Sequence, residues 1–421
     1  MKRENKGGTL FWGWWVVVGA FLILSMNYGS RYCFGIFVRP MFSEYQWSVS
    51  IISIAASINL LIYSIGGIVS GWLLDRMAPK WIMTAGALLT AVGFIVTSII
   101  RTPAQLYLSY GILCGIGSAG IGVVVSSSSV GKWFIRKRGV AIGISTMGIG
   151  FGTMALTPIA GLIVENYAWR SGFIFFGILI PLVGVTVSQI LMGRRNPEVY
   201  GLHPDGDPPR SPAAQDVFSD PPQTPAPSVK PVLRNSRFWI MVICFSAAVM
   251  TAMMAFVHQV SFAIDNDIDK IIAASSIGAI GIASIFGRYF FGWFSDRLQD
   301  AKYSAFLGFL VMAAGMVILT NTSSVVLLIV YAAVFGFGYG SLAPMMPVLV
   351  ADRFGRYVLG ATYGWLIFFV GGVGGALGPL VGGLIYDIFG SYTYAWQLNI
   401  LLLIAAACGI LALKPRDTEM K

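Results

Sequence analysis

The sequence predicts an all-α membrane protein of twelve spanning helices, built as two pseudo-symmetric six-helix bundles. Three observations carry this. Of 421 residues, 56% are hydrophobic and only 11% charged, with a mean hydropathy of +0.76; soluble domains hold roughly 25% charged residues. Apolar windows that can cross a hydrocarbon core of roughly 30 Å, at about 20 residues each, can be placed twelve times. A shift of 221 residues lays the second half of the chain on the first.

The windows fall at 11–37, 49–74, 81–100, 104–131, 139–164, 171–192, 238–264, 271–294, 303–321, 324–350, 357–387 and 393–413. The longest of them must tilt or protrude. The start, MKRENKGG followed by an apolar run from Phe11, resembles a signal peptide, but no small-x-small cleavage site closes the run before Asn27. It is therefore read as the first span.

Lysine and arginine fix the orientation, because they accumulate on the cytoplasmic side of a bilayer. With both termini inside, the inner segments hold 22 of them and the outer loops four, namely Arg39, Arg101, Arg170 and Lys270. The last two of the 28, Arg31 and Arg288, lie within windows 1 and 8. The net charge of +10 is thus spread between apolar runs rather than gathered in a basic patch, which argues for membrane topology and against a nucleic-acid partner. The expected location is the plasma membrane, as a multi-pass protein of a bacterial inner membrane with cytoplasmic termini.

Segment 193–237 holds ten of the nineteen prolines, broken up by charges, so a packed core or a continuous helix is not expected there. It reads as a flexible cytoplasmic connector between an N-terminal bundle, 1–192, and a C-terminal bundle, 238–421; a small ordered domain is the alternative. The 221-residue shift pairs Gly71, Trp72, Asp75 and Arg76 with Gly292, Trp293, Asp296 and Arg297. It continues without a gap through Tyr110 and Tyr331, Gly139 and Gly360, and Pro158 and Pro379. A parallel repeat of six-span halves with a site at their interface is a transporter architecture.

Arg288 stands out because a cation within a spanning helix costs a few kcal/mol or more and normally faces a cavity or a partner. At 1.5 Å per residue it lies roughly 12 Å from Asp296 at the inner loop and roughly 27 Å from Lys270 at the outer one. Its guanidinium is a planar fork that can grip a carboxylate through two parallel hydrogen bonds. Snorkelling, or a structural pair with another helix, is the plainer alternative.

GWLLDRMAPK after span 2 and GWFSDRLQDAK after span 8 resemble the G-x-x-x-D-R loop motif of the major facilitator superfamily, and with the twelve spans and the connector the resemblance covers the whole chain. NYGSRYCFGIF in span 1 and GRYFFGWFSD in span 8 resemble its monocarboxylate and oxalate/formate branch. That resemblance implies that Arg288 binds a substrate carboxylate. It also implies a conformational latch formed by Gly71, Asp75, Arg76, Gly292, Asp296 and Arg297, with each aspartate near a helix N-terminus or a basic partner across the half interface; a solvated loop is the alternative. Animal members are similar in pairing the arginine with an acid four residues earlier. Here that position is Ser284. The oxalate/formate antiporter adds a span-11 lysine for a dianion, and this chain has no Lys or Arg between Arg356 and Lys414, which favours a monoanion.

His258 and Asp265 in span 7 are seven residues apart, on one helical face and about 10 Å apart along the axis. Both titrate, so the pair can carry a coupling proton; a satisfied interhelix histidine and a solvated acidic loop are the alternatives. Asn27 and Arg31 share a face of span 1 with Tyr28 beside them, suited to steering anions, unless Arg31 snorkels to the outer headgroups. Phe335 and Tyr339 lie one turn apart among glycines of span 10, where aromatics can shape the apolar side of a cavity or simply pack.

Cys33, Cys114, Cys244 and Cys408 are scattered singly with no metal spacing. Gly115–Gly120 matches G-x-G-x-x-G inside span 4, where close helix packing explains it better than a dinucleotide. Neither a cofactor nor an enzymatic activity is expected. The expected function is secondary transport of a small monocarboxylate such as lactate or pyruvate in symport with a proton, by a carrier working as a monomer. Carboxylate exchange, and a non-transporting receptor of the same fold, are the alternatives.

Overall fold

The computed structural model describes residues 11–193, 196–207, 228–298 and 300–414. Among the described residues twelve helices are long and apolar enough to cross a membrane: α1 Trp12–Tyr45, α2 Ile51–Leu74, α3 Pro79–Ser98, α4 Pro103–Trp133, α5 Arg138–Asn166, α6 Trp169–Leu191, α7 Ser236–Asp265, α8 Lys270–Arg297, α9 Lys302–Thr320, α10 Val325–Phe354, α11 Arg356–Phe389 and α12 Thr393–Leu411. Among the described residues there is no strand. In hydrocarbon a helix meets its own backbone hydrogen-bonding demand, which an open strand does not.

Helix ends need partners for their free N–H groups. Ahead of α2, α4, α8 and α10 a local side chain accepts them: Ser48 from Ile51, Thr102 from Gln105, Asp269 from Ile271 and Ile272, and Ser324 from Leu327. Ser48 and Asp269 hold the same place in the 221-residue repeat. No side chain of this kind precedes α5 or α11. Their first turns are closed from the opposite half, as described below.

Between the halves, α2 packs on α11 and α8 packs on α5. Gly71 meets Gly360 and Gly292 meets Gly139 so closely that a Cβ on any of the four would collide with the facing carbonyl oxygen. The repeat maps one crossing onto the other. Helices α4 and α10 are each interrupted, the first at Ile121–Gly122 before resuming at Val123, the second at Gly340–Ser341 before resuming at Leu342. The freed N–H of Val123 donates to the Tyr63 hydroxyl at 3.3 Å. Discontinuous helices at a repeat interface are where transporters build sites.

Two segments differ from expectation. Helix α1 runs past residue 37 to Tyr45, because hydropathy falls at Arg39 and Pro40 while the fully buried Phe37 and Met41 still hold the helix to its neighbours. The connector, expected to be flexible, is packed over 196–207. Asp205 accepts the N–H groups of Ile135, Arg136 and Lys137 at 3.0, 2.9 and 3.2 Å, and Glu198 pairs with Arg356. Composition argues against a core of its own, but the bare turn ahead of α5 gives its acids partners. Residues 208–227 of the connector lie outside the described residues.

Candidate functional site

Between the halves, beside the interruptions in α4 and α10, lies a cavity of about 140 Å³. Tyr28 and Tyr32 of α1, Val123 of α4 and Ile149 of α5 line one side, and Val249, Met253, Arg288, Tyr339, Leu342 and Tyr363 the other. Aromatic and aliphatic groups dominate, as in most small-ligand sites. None of the lining residues is acidic.

Arg288 is the cation of this wall. It is 4% exposed, and its Nε and Nη1 have no hydrogen-bond partner. Ser284, one turn earlier, donates its hydroxyl to the Gly281 carbonyl at 2.7 Å. Gly150 of α5 leaves room beside the fork: a Cβ there would stand 3.2 Å from Nη1 and 2.7 Å from Ile285 Cγ1. A guanidinium removed from water and lacking a carboxylate is costly as it stands. An anion entering the cavity would offset that cost and fill the fork.

Of the other expected site residues, Tyr28 and Tyr339 line this cavity with Arg288. The Tyr28 and Tyr63 hydroxyls are hydrogen-bonded at 2.9 Å, and the Tyr339 ring meets Phe256 edge-on at 5.2 Å. Arg31 is not on the wall; its guanidinium stacks 4.2 Å over the Tyr63 ring, a cation–π contact behind the lining tyrosines. Asn27 is buried, with its Nδ2 donating to the Ser118 carbonyl at 3.3 Å, which ties α1 to α4. Phe335 is fully buried against Tyr331 and Gly315, away from the cavity. Gly315 of α9 leaves the room that it packs into.

The span-7 pair also lies elsewhere. The His258 ring Nε2 is 2.9 Å from the Pro379 carbonyl, an interhelix contact between α7 and α11. Asp265 is exposed at the end of α7, in a surface recess with Asp267 and Asp269. Helical spacing does put both residues on one face, but that face does not look onto the cavity.

A second group of polar contacts closes one end of the half interface. Asp75 accepts the N–H groups of Gly360 and Ala361 at 3.2 and 2.8 Å and pairs with Lys132 at 2.9 Å, with both side chains buried. Asp296 accepts the N–H groups of Gly139 and Val140 at 2.6 and 2.8 Å. Each aspartate therefore caps the first turn of a helix in the opposite half, where the helix dipole also favours a carboxylate. Arg76 and Arg297 stack on Trp72 and Trp293 of their own helices at 3.9 and 4.3 Å. Arg138 pairs with Asp352 across the halves at 2.8 Å, and Arg353 pairs with Asp300 at 2.5 Å.

The sequence reading did not find Tyr32, Tyr363 and Gly150, the pairing of Lys132 with Asp75, or the contacts of Glu198 and Asp205. For the end contacts a signal existed, since Gly139 and Gly360 already stood in the repeat register. For Tyr363 none did: it is one tyrosine in an apolar run.

The profile of the Major Facilitator Superfamily matches residues 20–379. Monocarboxylate transporter 12 of Mus musculus is 28% identical over 408 residues, 92% of this chain and 82% of that protein. Monocarboxylate transporter 4 of Rattus norvegicus is 26% identical over 393 residues, covering 92% and 80%. Among solved structures, the E. coli fucose:proton symporter FucP superimposes with a TM-score of 0.70 at 14% identity, over 95% of this chain and 99% of that one. A second FucP structure, in the outward conformation, gives 0.71 at 12%, over 94% and 98%. Twelve spans, interrupted helices at the half interface and a profile match over most of the chain make one conclusion: this protein is a membrane transporter, not an enzyme, and belongs to the major facilitator superfamily.

Proposed function

We propose that the chain carries small monocarboxylates of the lactate or pyruvate kind by alternating access, with the two bundles, 1–192 and 238–421, rocking about the central cavity. The observation that carries this reading is Arg288, buried on the cavity wall with unpartnered Nε and Nη1 and no acidic neighbour in the lining. One cation suits one carboxylate, and the aliphatic wall suits a short hydrocarbon chain. The names of the relatives point to the same substrate class. Tyr28 and Tyr339 complete the proposed binding wall. Asp75 and Asp296, with the glycine crossings at Gly71 and Gly292, form the proposed latch at the end that positive charge assigns to the cytoplasm.

Symport with a proton is the coupling we favour, since a weak acid moved with a proton brings no net charge across the membrane potential. A second reading, exchange of one carboxylate for another, is favoured by a specific observation. With nothing to pair with Arg288, the empty carrier must reorient with an uncompensated buried cation, which is costly, whereas the loaded one is neutralised. Purified carrier in liposomes containing a pH-sensitive dye separates the two. Symport predicts acidification of the lumen with lactate uptake; uptake that requires internal carboxylate and leaves the pH unchanged overturns it. Arg288→Ala is expected to abolish both kinds of flux, and retained uptake at unchanged KM removes Arg288 from the site.

A further inference from the structure

The polar contacts around Tyr63 of α2 have a direction. Tyr63 is buried and is not part of the cavity lining, yet its hydroxyl meets two neighbours. It accepts the N–H of Val123, freed where α4 breaks, at 3.3 Å, and it lies 2.9 Å from the hydroxyl of Tyr28, which does line the cavity. Gly122 makes this approach possible, since a Cβ there would stand 2.8 Å from the Tyr63 hydroxyl. On the face of the ring, the Arg31 guanidinium is stacked at 4.2 Å.

A phenol has one proton to give. Among the described residues the Tyr63 hydroxyl has no other hydrogen-bond partner, so a proton pointed away from Tyr28 would be buried without an acceptor, at a cost. With the Tyr63 proton on the Tyr28 oxygen, Tyr28 turns its own proton to its remaining open side, the cavity that it lines. The chain of donors therefore starts at Val123, the first residue of the inner segment of α4 and so at the positive end of its dipole, and runs through Tyr63 to Tyr28. The second half of the molecule lacks this device. At the repeat positions stand Pro344, which has no N–H, and Ser284, whose hydroxyl donates to Gly281 of its own helix.

We infer that Tyr63 is a positioning residue for the carried anion: from behind the lining it fixes the Tyr28 hydroxyl as a donor aimed into the cavity. This rests on the reading that Arg288 takes a carboxylate there. A carboxylate only accepts, so a hydroxyl that rotates freely must give up that freedom to serve it. Tyr28 is already turned. Tyr32 and Tyr339 line the same cavity, but among the described residues no hydrogen bond holds either hydroxyl in one orientation. Their contribution is therefore independent of Tyr63, whereas that of Tyr28 is not.

Uptake of labelled lactate by purified carrier in liposomes tests this, with KM and Vmax read separately for Tyr28→Phe, Tyr63→Phe and the double variant. Tyr28→Phe is expected to raise KM about tenfold, the scale of a hydrogen bond to a charged ligand. Tyr63→Phe keeps the ring under Arg31 and is expected to raise KM about threefold at nearly unchanged Vmax, through lost orientation alone. In the Tyr28→Phe background the same change is expected to leave KM where it was, because Tyr63 then has nothing to position. A wild-type KM in Tyr63→Phe, or a rise that multiplies in full onto that of Tyr28→Phe, overturns the assignment; the second result is what a general loosening of α2 would give. Should Tyr63→Phe not reach the membrane, Gly122→Ala, whose methyl group displaces the same hydroxyl, takes its place under the same outcomes. Arg288→Ala separates this inference from the reading beneath it. Uptake retained there at unchanged KM removes both, whereas lost uptake there together with a wild-type KM in Tyr63→Phe removes only the role of Tyr63.

Discussion

Arg288 sits where nothing local neutralises it, and the residues around it make that arrangement sensitive to single atoms. Gly150 is the clearest case. Its missing side chain leaves Nη1 and Ile285 room that a methyl group would take at 3.2 and 2.7 Å. Gly150→Ala is therefore expected to push the guanidinium and Ile285 aside and raise KM for lactate about tenfold, a change of about 1.4 kcal/mol, with melting temperature nearly unaltered. An unchanged KM would mean that the fork can shift without loss and does not hold the substrate as described. The sequence displayed Arg288 plainly, because a charge in an apolar run needs no partner to be noticed. Gly150 could not be read, since it is one of 50 glycines and matters only through a residue 138 positions away in sequence.

At the scale of helices, the two proposed latch copies share a plan but not a chemistry. Asp75 caps α11 and also neutralises Lys132, with side-chain exposures of 4% and 5%; Asp296 accepts the backbone N–H groups of Gly139 and Val140 in α5. Position 353, the repeat counterpart of Lys132, is an arginine that turns to Asp300 instead. Removing the charge at Asp75 leaves a buried ammonium without its carboxylate, worth about 3–5 kcal/mol. At Asp296 the loss is one or two hydrogen bonds, worth about 1–2 kcal/mol. Asp75→Asn should thus open this end of the molecule more than Asp296→Asn, read as a larger population of long distances between spin labels on Met77 and Tyr357. Equal populations in the two variants would make the copies equivalent and sink the asymmetry. The repeat made the pairing of loops visible in the sequence, but not which basic residue each aspartate would meet.

For the whole molecule, the connector is more than a tether over 196–207. It lays Asp205 on the turn ahead of α5 and Glu198 on Arg356 at the start of α11, so one short segment touches both halves at the same closed end. Asp205→Ala frees three backbone N–H groups at a partly solvated site, a loss of about 1 kcal/mol. Tryptic cleavage within the connector is expected to accelerate several-fold while transport by the intact carrier persists. Cleavage at the wild-type rate would show that these contacts do not hold the segment. Proline and charge content pointed the other way, since composition reports whether a segment can build its own core, not whether a neighbouring surface will accept it.

The sequence by itself determined the twelve spans, the two related halves, the depth of Arg288 and the positions of the paired Gly-x-x-x-Asp-Arg loops. All of these follow from terms that each residue meets alone or with near neighbours: transfer from water to lipid, backbone hydrogen bonds within a helix, and spacing along one chain. Only the tertiary structure decided that Asp75 would accept from Gly360 and Ala361, 285 and 286 residues away, that His258 would turn to Pro379, and that Tyr363 would share a wall with Arg288. Those outcomes depend on how each helix is rotated about its axis and how one half is set against the other. That setting comes from the close glycine crossings and the breaks in α4 and α10, whose effect no single stretch of sequence contains.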